Sequence, residues 1–392
     1  MPDTKYLIIG GGMTAAAAMQ GIREVDPTGT IELFSTESFS PYDRPPLTKA
    51  LWKGEPLKSI WRQIPKEGVT LHLGERVQSL DVQQRRVVDE KGVTYSYERL
   101  LLATGGTPRC LPFGGDDVIY YRTLADYYRL RSLVNLGDNF AVIGGGFIGA
   151  EIAAALAMNG QRVTMVFPQA GIGGRIFPKE LSQFLNDYYR EKGVEVLAGD
   201  AVTDLQRDTG QILVMLKSGS ALVVDSVIAG IGIKPDTTLA QEAGLQVTDG
   251  IWVDEQLQTS VPGIYAAGDV ANFYNPALDR RLRIEHEDNA NTMGRMAGQS
   301  MAGAAVTYHH LPFFYSDLFD LGYEAVGLLG DDMEIVTDWR EPNREGVIYY
   351  LEGGRVRGVL LWNVWEQVEA ARALIAEPGP FDAKMLKGRL PR

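Results

Sequence analysis

The sequence predicts an α/β protein built from two Rossmann-like dinucleotide-binding domains and a C-terminal α+β domain. A glycine fingerprint occurs twice: Gly10, Gly12 and Ala15 form G-x-G-x-x-A, and Gly144, Gly146 and Gly149 form G-x-G-x-x-G. Each copy stands between an apolar strand and an Ala-rich helix with a second strand behind, the context such a fingerprint requires. From Pro312 onward the chain changes to consecutive strands and one last helix.

In the internal copy, residues 140–143 are the first strand and 162–167 the returning one. Gly144 makes the tight turn, Gly146 lets the main chain approach a pyrophosphate, and Gly149 lets the helix pack on the strand. The free N–H groups and dipole of the helix N-terminus favour phosphates. The opening copy repeats this with strands at 6–9 and 30–34. Glu37 lies 27 residues after Gly10, where an acid takes the ribose hydroxyls; the equivalent place, 25 residues after Gly144, holds Gln169. Two nucleotide folds that differ at the ribose reader point to two different nucleotides.

The remaining elements follow in order. In SPYDRPPLTKALW, residues 40–52, Pro41, Pro45 and Pro46 fix an extended backbone, and Arg44 and Lys49 project from this stiff loop. Residues 69–72 read as a short strand, and 85–88 with 93–95 as a polar hairpin. RLLLATGGTPR, residues 99–109, is a buried parallel-type strand ending in a glycine turn, where an open sheet receives a ligand at its carboxyl edge. Residues 127–133 look helical, AGIGGRIF at 170–177 is a flexible loop holding Arg175, and 181–192 is an amphipathic helix. Strands at 194–197 and 212–216 lead to VIAGIGIKPD, 227–236, another apolar strand breaking on glycine. TSVPGIYAAGDV, 259–270, is a turn and a short strand before Gly268 and Asp269, and 284–303 is a helix. In the tail, 325–329, 334–338, 346–351 and 356–362 are strands, 352–354 a hairpin turn and 365–375 the last helix.

At 392 residues the chain has room for two to three domains, each with its own core. A net charge of −12, with no basic stripe carrying interleaved aromatics, argues against a nucleic-acid binder. No apolar run reaches the ~18 residues that a membrane helix needs. Residues 1–8 already read as a strand, so no secretory leader is expected. Cys110 is the single cysteine and cannot form an internal disulfide, which fits a reducing cytoplasm. Of four histidines only His286 lies in a motif, and His72, His309 and His310 read as structural; no metal-ligand spacing is visible.

Taken together, GGGMTA, PYDRPPLTK, LLATGGTPR, GGGFIGAE, GIYAAGDV and FFYSD, in this order, resemble the FAD-dependent pyridine-nucleotide reductases of the glutathione-reductase superfamily. Within it they are most similar to the branch of oxygenase-type ferredoxin reductases, rubredoxin reductases and apoptosis-inducing factor. The resemblance spans essentially the whole chain. It implies that the second nucleotide domain is inserted in the first: residues 1–113 and 237–305 bind FAD, 114–236 bind NADH or NADPH, and 306–392 pack over the flavin.

By the same resemblance, Gly10, Gly12 and Ala15 cradle the FAD pyrophosphate, Glu37 takes the adenosine ribose, and Arg44 and Arg109 are FAD-binding arginines. Val77 pairs with adenine through its backbone, and Asp269 holds the ribityl chain. Thr14, Ala103, Thr104, Gly105, Gly268, Glu285, His286, Glu287 and Tyr315 are also carried over as cofactor-binding, as are Gly144, Gly146, Phe147, Ile148, Gly149, Gln169, Arg175 and Gly232. Lys49 matches a catalytic lysine near flavin N5, and Glu151 the glutamate paired with it. Reduction places negative charge on the isoalloxazine, which a fixed cation in a water-poor site stabilises. Nicotinamide C4 must come within ~3–3.5 Å of flavin N5 for hydride transfer. Phe147 reads either as an aromatic gate that yields to nicotinamide or as ordinary packing.

Where NADH-selective relatives carry an acid, this chain has Gln169, with Arg175 close behind. An amide does not repel a 2′-phosphate and an arginine can pair with one, so relaxed specificity is expected. Glu287 and Tyr315 stand where ferredoxin reductases tend to carry tryptophans, and His286 beside Glu285 resembles the apoptosis-inducing-factor pattern. Disulfide reductases pass electrons through a C-x-x-x-x-C pair, which a chain with one cysteine cannot form. Three classes of acceptor stay open: a ferredoxin-type iron–sulfur protein, oxygen in a slow redox-signalling oxidase, and a quinone or other small molecule. Ferredoxins are usually acidic, so docking needs a local basic face. Arg44 and Lys53, with Arg280, Arg281 and Arg283, are the candidates; for the last three a solvated charge run is the alternative, and a homodimer is also open.

Overall fold

The structure, a computed structural model, describes residues 3–391. Met1 and Pro2, placed by the sequence in the opening strand, lie outside the described residues. The chain divides into two compact units.

The first unit comprises Met1–Asp43, Leu57–Thr107 and Lys234–Phe314. Its sheet is centred on Asp3–Ile9, which pairs in parallel with Ile31–Ser35 on one side and Thr94–Leu102 on the other. Tyr6, Leu7 and Ile8 are buried at 0–1% exposure, as expected of a central parallel strand covered on both faces. Val69–Leu73 extends the sheet beyond Ile31–Ser35.

Here one expectation is corrected. The hairpin strand at 93–95 and the apolar strand from 99 are a single strand, Thr94–Leu102. No turn residue separates Tyr95 from Arg99, and the register from Asp3↔Ser96 to Ile9↔Leu102 holds the segment straight. On its far side the N-terminal half pairs antiparallel with Arg86–Asp89, and the C-terminal half parallel with Ile264–Ala266.

The helices Met13–Val25 and Glu287–Met301 cross at main-chain contact. A Cβ on Gly298 would lie 2.0 Å from the Ala18 carbonyl oxygen, and one on Gly294 2.4 Å from that of Thr14. Only hydrogen fits at these positions, so the spacing of small residues in the second helix sets how closely the helices approach.

The second unit comprises Arg44–Pro56, Pro108–Ile233 and Tyr315–Arg392. Its five-stranded parallel sheet runs Val194–Ala198, Arg162–Phe167, Asn139–Ile143, Ser226–Ala229, Val118–Tyr120. The helix Leu124–Val134 starts three residues before the expected 127, because Thr123 and Asp126 form a capping box. Val202–Asp208 and Ala221–Val224, which flank Gln211–Leu216 in an antiparallel sheet, are among the strands absent from the sequence expectation. The first is mostly exposed and polar, so it has little apolar alternation to mark it.

The segment 170–177 is also corrected: it is a fastened turn, not a flexible loop. Asn186 Nδ2 donates to the Ala170 carbonyl, Asn186 Oδ1 accepts from Ile172 N–H, and Ser182 Oγ donates to the Ile172 carbonyl. Ile172 and Phe177 are buried. In the tail, Leu321–Gly327, Arg355–Trp362, Glu345–Glu352 and Glu334–Glu341 form an antiparallel sheet with Phe313–Leu318 at its edge. The helix expected at 365–375 is Val368–Ala376, beginning three residues later, after Asn363 and Glu366 turn the chain at positive φ; it is not the last, since a short helix, Ala383–Leu386, follows.

Gly298→Ala tests the helix crossing. Alanine gains up to ~1 kcal/mol of helix propensity, but its Cβ meets main chain that cannot rotate away. A net loss of about 1–3 kcal/mol is expected, read as a fall of several degrees in Tm by calorimetry; an unchanged or raised Tm contradicts the close packing.

Candidate functional site

Both fingerprints form strand–turn–helix cradles. In the first unit, Gly10 has φ +117°, and its would-be Cβ lies 2.1 Å from the Ala103 carbonyl oxygen. The turn is therefore pressed against the end of the Thr94–Leu102 strand. Gly12 caps the following helix with no side-chain hydrogen bond, so the helix N-terminus is left for an outside acceptor. Thr14 lies behind the turn, and a Cβ on Gly268 would meet its Oγ1 at 2.3 Å. Ala15 is fully buried. Thr104 Oγ1 donates to the Asp236 carbonyl at 2.6 Å, and Gly105 takes φ +64°.

Glu37 follows the second strand, and its Oε2 accepts from Tyr42 Oη at 2.5 Å. Val77 begins a strand and is buried. Asp269 sits in the turn after Ile264–Ala266, its carbonyl accepting from Arg283. His286 caps the helix that starts at Glu287, its ring 4.2 Å from that of Phe314. Desolvation lowers the His286 pKa to about 4, and its Nδ1 has no hydrogen-bond partner among the described residues. The imidazole is thus neutral at pH 7, with one nitrogen left to meet a ligand group.

These residues fit the FAD that the motifs imply. A tight glycine turn, an uncapped helix N-terminus, a carboxylate after the second strand and an acid at Asp269 match a pyrophosphate flanked by two polyols.

In the second unit the internal cradle repeats this geometry. Gly144 has φ +117° and lies against the Gly230 carbonyl, and a Cβ on Gly149 would sit 2.0 Å from the Gly144 oxygen. At Gly146, in contrast, an added Cβ would meet nothing within 4 Å. Gly146 is the helix N-cap, again without a side-chain cap, and its φ of −87° suits any residue. The space in front of it is open for a phosphate. Phe147 and Ile148, in the first helical turn, are 39% and 37% exposed, so Phe147 is on the surface of its unit and not in the core. With its amide oxygen turned to the guanidinium, Gln169 accepts from Arg175 Nε and Nη2, each at 3.2 Å. The Gly173 N–H donates to the Gly145 carbonyl at 2.8 Å, folding the Arg175 loop onto the fingerprint turn. Gly232, at φ +94°, accepts from the Arg109 N–H at 2.9 Å.

The segment Arg44–Pro56 belongs to this second unit. Arg44 Nη1 donates to the Arg122 carbonyl at 3.0 Å, Tyr121 Oη to that of Leu47 at 2.6 Å, and Asn159 Nδ2 to that of Trp52 at 3.1 Å. These bonds fix the loop that presents Lys49. Lys49 Nζ is 2.7 Å from Glu151 Oε1, with side-chain exposures of 11% and 4%. It also lies 5.2 Å from the centre of the Tyr315 ring. Thr48, Ser316 and Tyr42 were missed from sequence, although each stands in a stretch already singled out. The available signal at Ser316 is register: it is the buried polar residue between two less buried neighbours in a strand.

The arginine run is corrected. Arg281 donates to Asn272 and to the Val253 carbonyl and lies 4.6 Å over Trp252. Arg283 is 10% exposed and pairs with Asp249 and Glu285. Both hold the first unit together, so neither offers a solvated docking face. Lys53 is 45% exposed beside Asp317.

Gly146→Ala and Gly149→Ala separate binding from folding. The first is expected to keep the wild-type Tm and raise the NADH Kd at least tenfold by filling the phosphate space; the second is expected to lower Tm. Equal nucleotide affinity in a folded Gly146→Ala protein, by fluorescence titration, contradicts the assigned cradle.

The pyridine nucleotide-disulphide oxidoreductase family matches residues 4–294. The chain is 34% identical to the 5,5'-dehydrodivanillate O-demethylase ferredoxin reductase subunit of Sphingobium, covering 98% of this chain and 96% of that protein. It is 32% identical to putidaredoxin reductase of Pseudomonas putida, over 98% and 94%. It is also 32% identical to apoptosis-inducing factor 1 of Dictyostelium discoideum, over 95% and 78%. Among solved structures, the covalent putidaredoxin reductase–putidaredoxin complex superposes with a TM-score of 0.90 at 31% identity, over 98% of this chain and 96% of that one. The chain belongs to the pyridine nucleotide-disulphide oxidoreductase family and is an NAD(P)H-dependent FAD oxidoreductase.

Proposed function

We propose that this reductase delivers electrons to a ferredoxin-type iron–sulfur protein. FAD belongs to residues 1–113 and 237–305, NAD(P)H to 114–236, and 306–392 is the C-terminal domain. The observation that carries this reading is the buried Lys49–Glu151 pair, a fixed cation held in a nearly water-free setting. In a chain with one cysteine, no redox disulfide can take the electrons onward. When bound, the flavin accepts hydride from the reduced nicotinamide and releases electrons singly.

The protein's own residues supply geometry and charge. The two cradles hold the pyrophosphates, Glu37 reads a ribose, and Lys49 opposes the negative charge that builds on reduction. The similarity to two reductases named for their ferredoxin or putidaredoxin partners supports the choice of acceptor. A second reading, a slow NADH oxidase with a signalling role, is favoured by the similarity to apoptosis-inducing factor. NADH-driven cytochrome c reduction tests the two. The proposal expects turnover that rises steeply with added cognate ferredoxin; slow turnover indifferent to ferredoxin, with a persistent long-wavelength charge-transfer band, overturns it in favour of the second.

We also propose that both nicotinamides are used. Gln169 is neutral and holds Arg175 at the place where a carboxylate would exclude a 2′-phosphate. The expected ratio of kcat/KM for NADH over NADPH is below about a thousandfold (~4 kcal/mol). Gln169→Glu is expected to raise that ratio at least tenfold; a wild-type ratio above the limit removes the idea.

A further inference from the structure

We infer that Thr48 and Ser316 are positioning residues, whose hydroxyls fix the plane of the Glu151 carboxylate and thereby the place of the Lys49 ammonium. The inference rests on the role proposed above for Lys49 and adds what holds it. Glu151 Oε1 accepts from Lys49 Nζ at 2.7 Å and from Ser316 Oγ at 2.6 Å, and Oε2 accepts from Thr48 Oγ1 at 2.5 Å. Three stretches far apart in sequence therefore meet on one carboxylate. All three bonds lie within the second unit.

The geometry allows little else. Thr48 Oγ1 is also 3.2 Å from the Pro45 carbonyl, but a hydroxyl has one hydrogen, and the shorter, charged acceptor takes it. Ser316 likewise gives its hydrogen to Glu151. Both hydroxyls thus point inward to the carboxylate.

A glutamate's last torsion is a broad, nearly two-fold rotor that packing alone fixes poorly. One bond to the ammonium leaves the carboxylate free to turn, and a four-carbon lysine follows it. Two hydroxyls on different oxygens remove that freedom. They leave Lys49 Nζ one seat, 2.7 Å from Oε1 and 5.2 Å over Tyr315. A carboxylate 4% exposed also cannot replace a lost hydroxyl with bulk water.

The test uses the FAD-loaded protein and reads the two-electron midpoint potential of the flavin. Variants are Thr48→Val, Ser316→Ala, their double, Thr48→Ser and Lys49→Gln, with Tm recorded for each. Lys49→Gln is expected to disfavour flavin reduction at least tenfold, a fall of ~30 mV for a two-electron couple. The double hydroxyl variant is expected to reproduce most of that fall with Lys49 still present. Each single variant should give about threefold, ~14 mV, and Thr48→Ser, which keeps the hydroxyl, no change. If Lys49→Gln shifts the potential and the folded hydroxyl variants do not, the positioning inference is overturned alone. If Lys49→Gln leaves the potential unchanged, the role proposed for Lys49 is wrong and the inference falls with it. Should the double variant not fold, the single variants decide by the same comparison. A purely structural part for these hydroxyls would lower Tm without moving the potential.

Discussion

A carboxylate that is 4% exposed must be met by donors, and much of the second unit is arranged around supplying them to Glu151. Removing an ion from water costs several kcal/mol even after relaxation, and the cost is offset only where geometry and hydrogen bonds are good. The structure meets both conditions with a lysine and two hydroxyls at 2.5–2.7 Å. That requirement explains why Arg44–Pro56 is fastened within the second unit through Leu47, Trp52 and Arg44. It also explains why the tail contributes Ser316 from a strand whose register turns that hydroxyl inward.

The two cradles obey a different constraint, that of contact between main chains. Where glycine is pressed against a carbonyl, as at Gly10 and Gly149, its role is to let elements touch. Where the space ahead of it is open, as at Gly146, its role concerns the ligand. The two kinds are alike in sequence and separate only when the neighbouring atoms are known. The same steric rule governs the crossing of Met13–Val25 with Glu287–Met301, which spans the long insertion in sequence and carries His286 to the helix start. Charge follows these backbones: Glu37 is aimed by Tyr42, while Gln169 holds Arg175 without adding a charge.

The parts legible in the sequence are those whose cause is local. Period-two and period-3.6 patterns mark the strands and helices, and glycine at fixed offsets marks both cradles. A single cysteine rules out an internal disulfide, and Glu37 against Gln169 separates the two ribose readers. Where the pattern was weak it failed for a physical reason. Val202–Asp208 is a polar strand with little alternation, and the 170–177 turn is fastened by Asn186 and Ser182 from a later helix. Tertiary structure alone decided which polar residues share a buried space. Thr48, Glu151 and Ser316 are up to 268 residues apart, and no local pattern distinguishes a hydroxyl that faces a carboxylate from one that faces water. It decided the arginines too: Arg281 and Arg283 read as a charge run, yet Asn272, Asp249 and Glu285 hold them, because pairing depends on where folded backbones bring their partners.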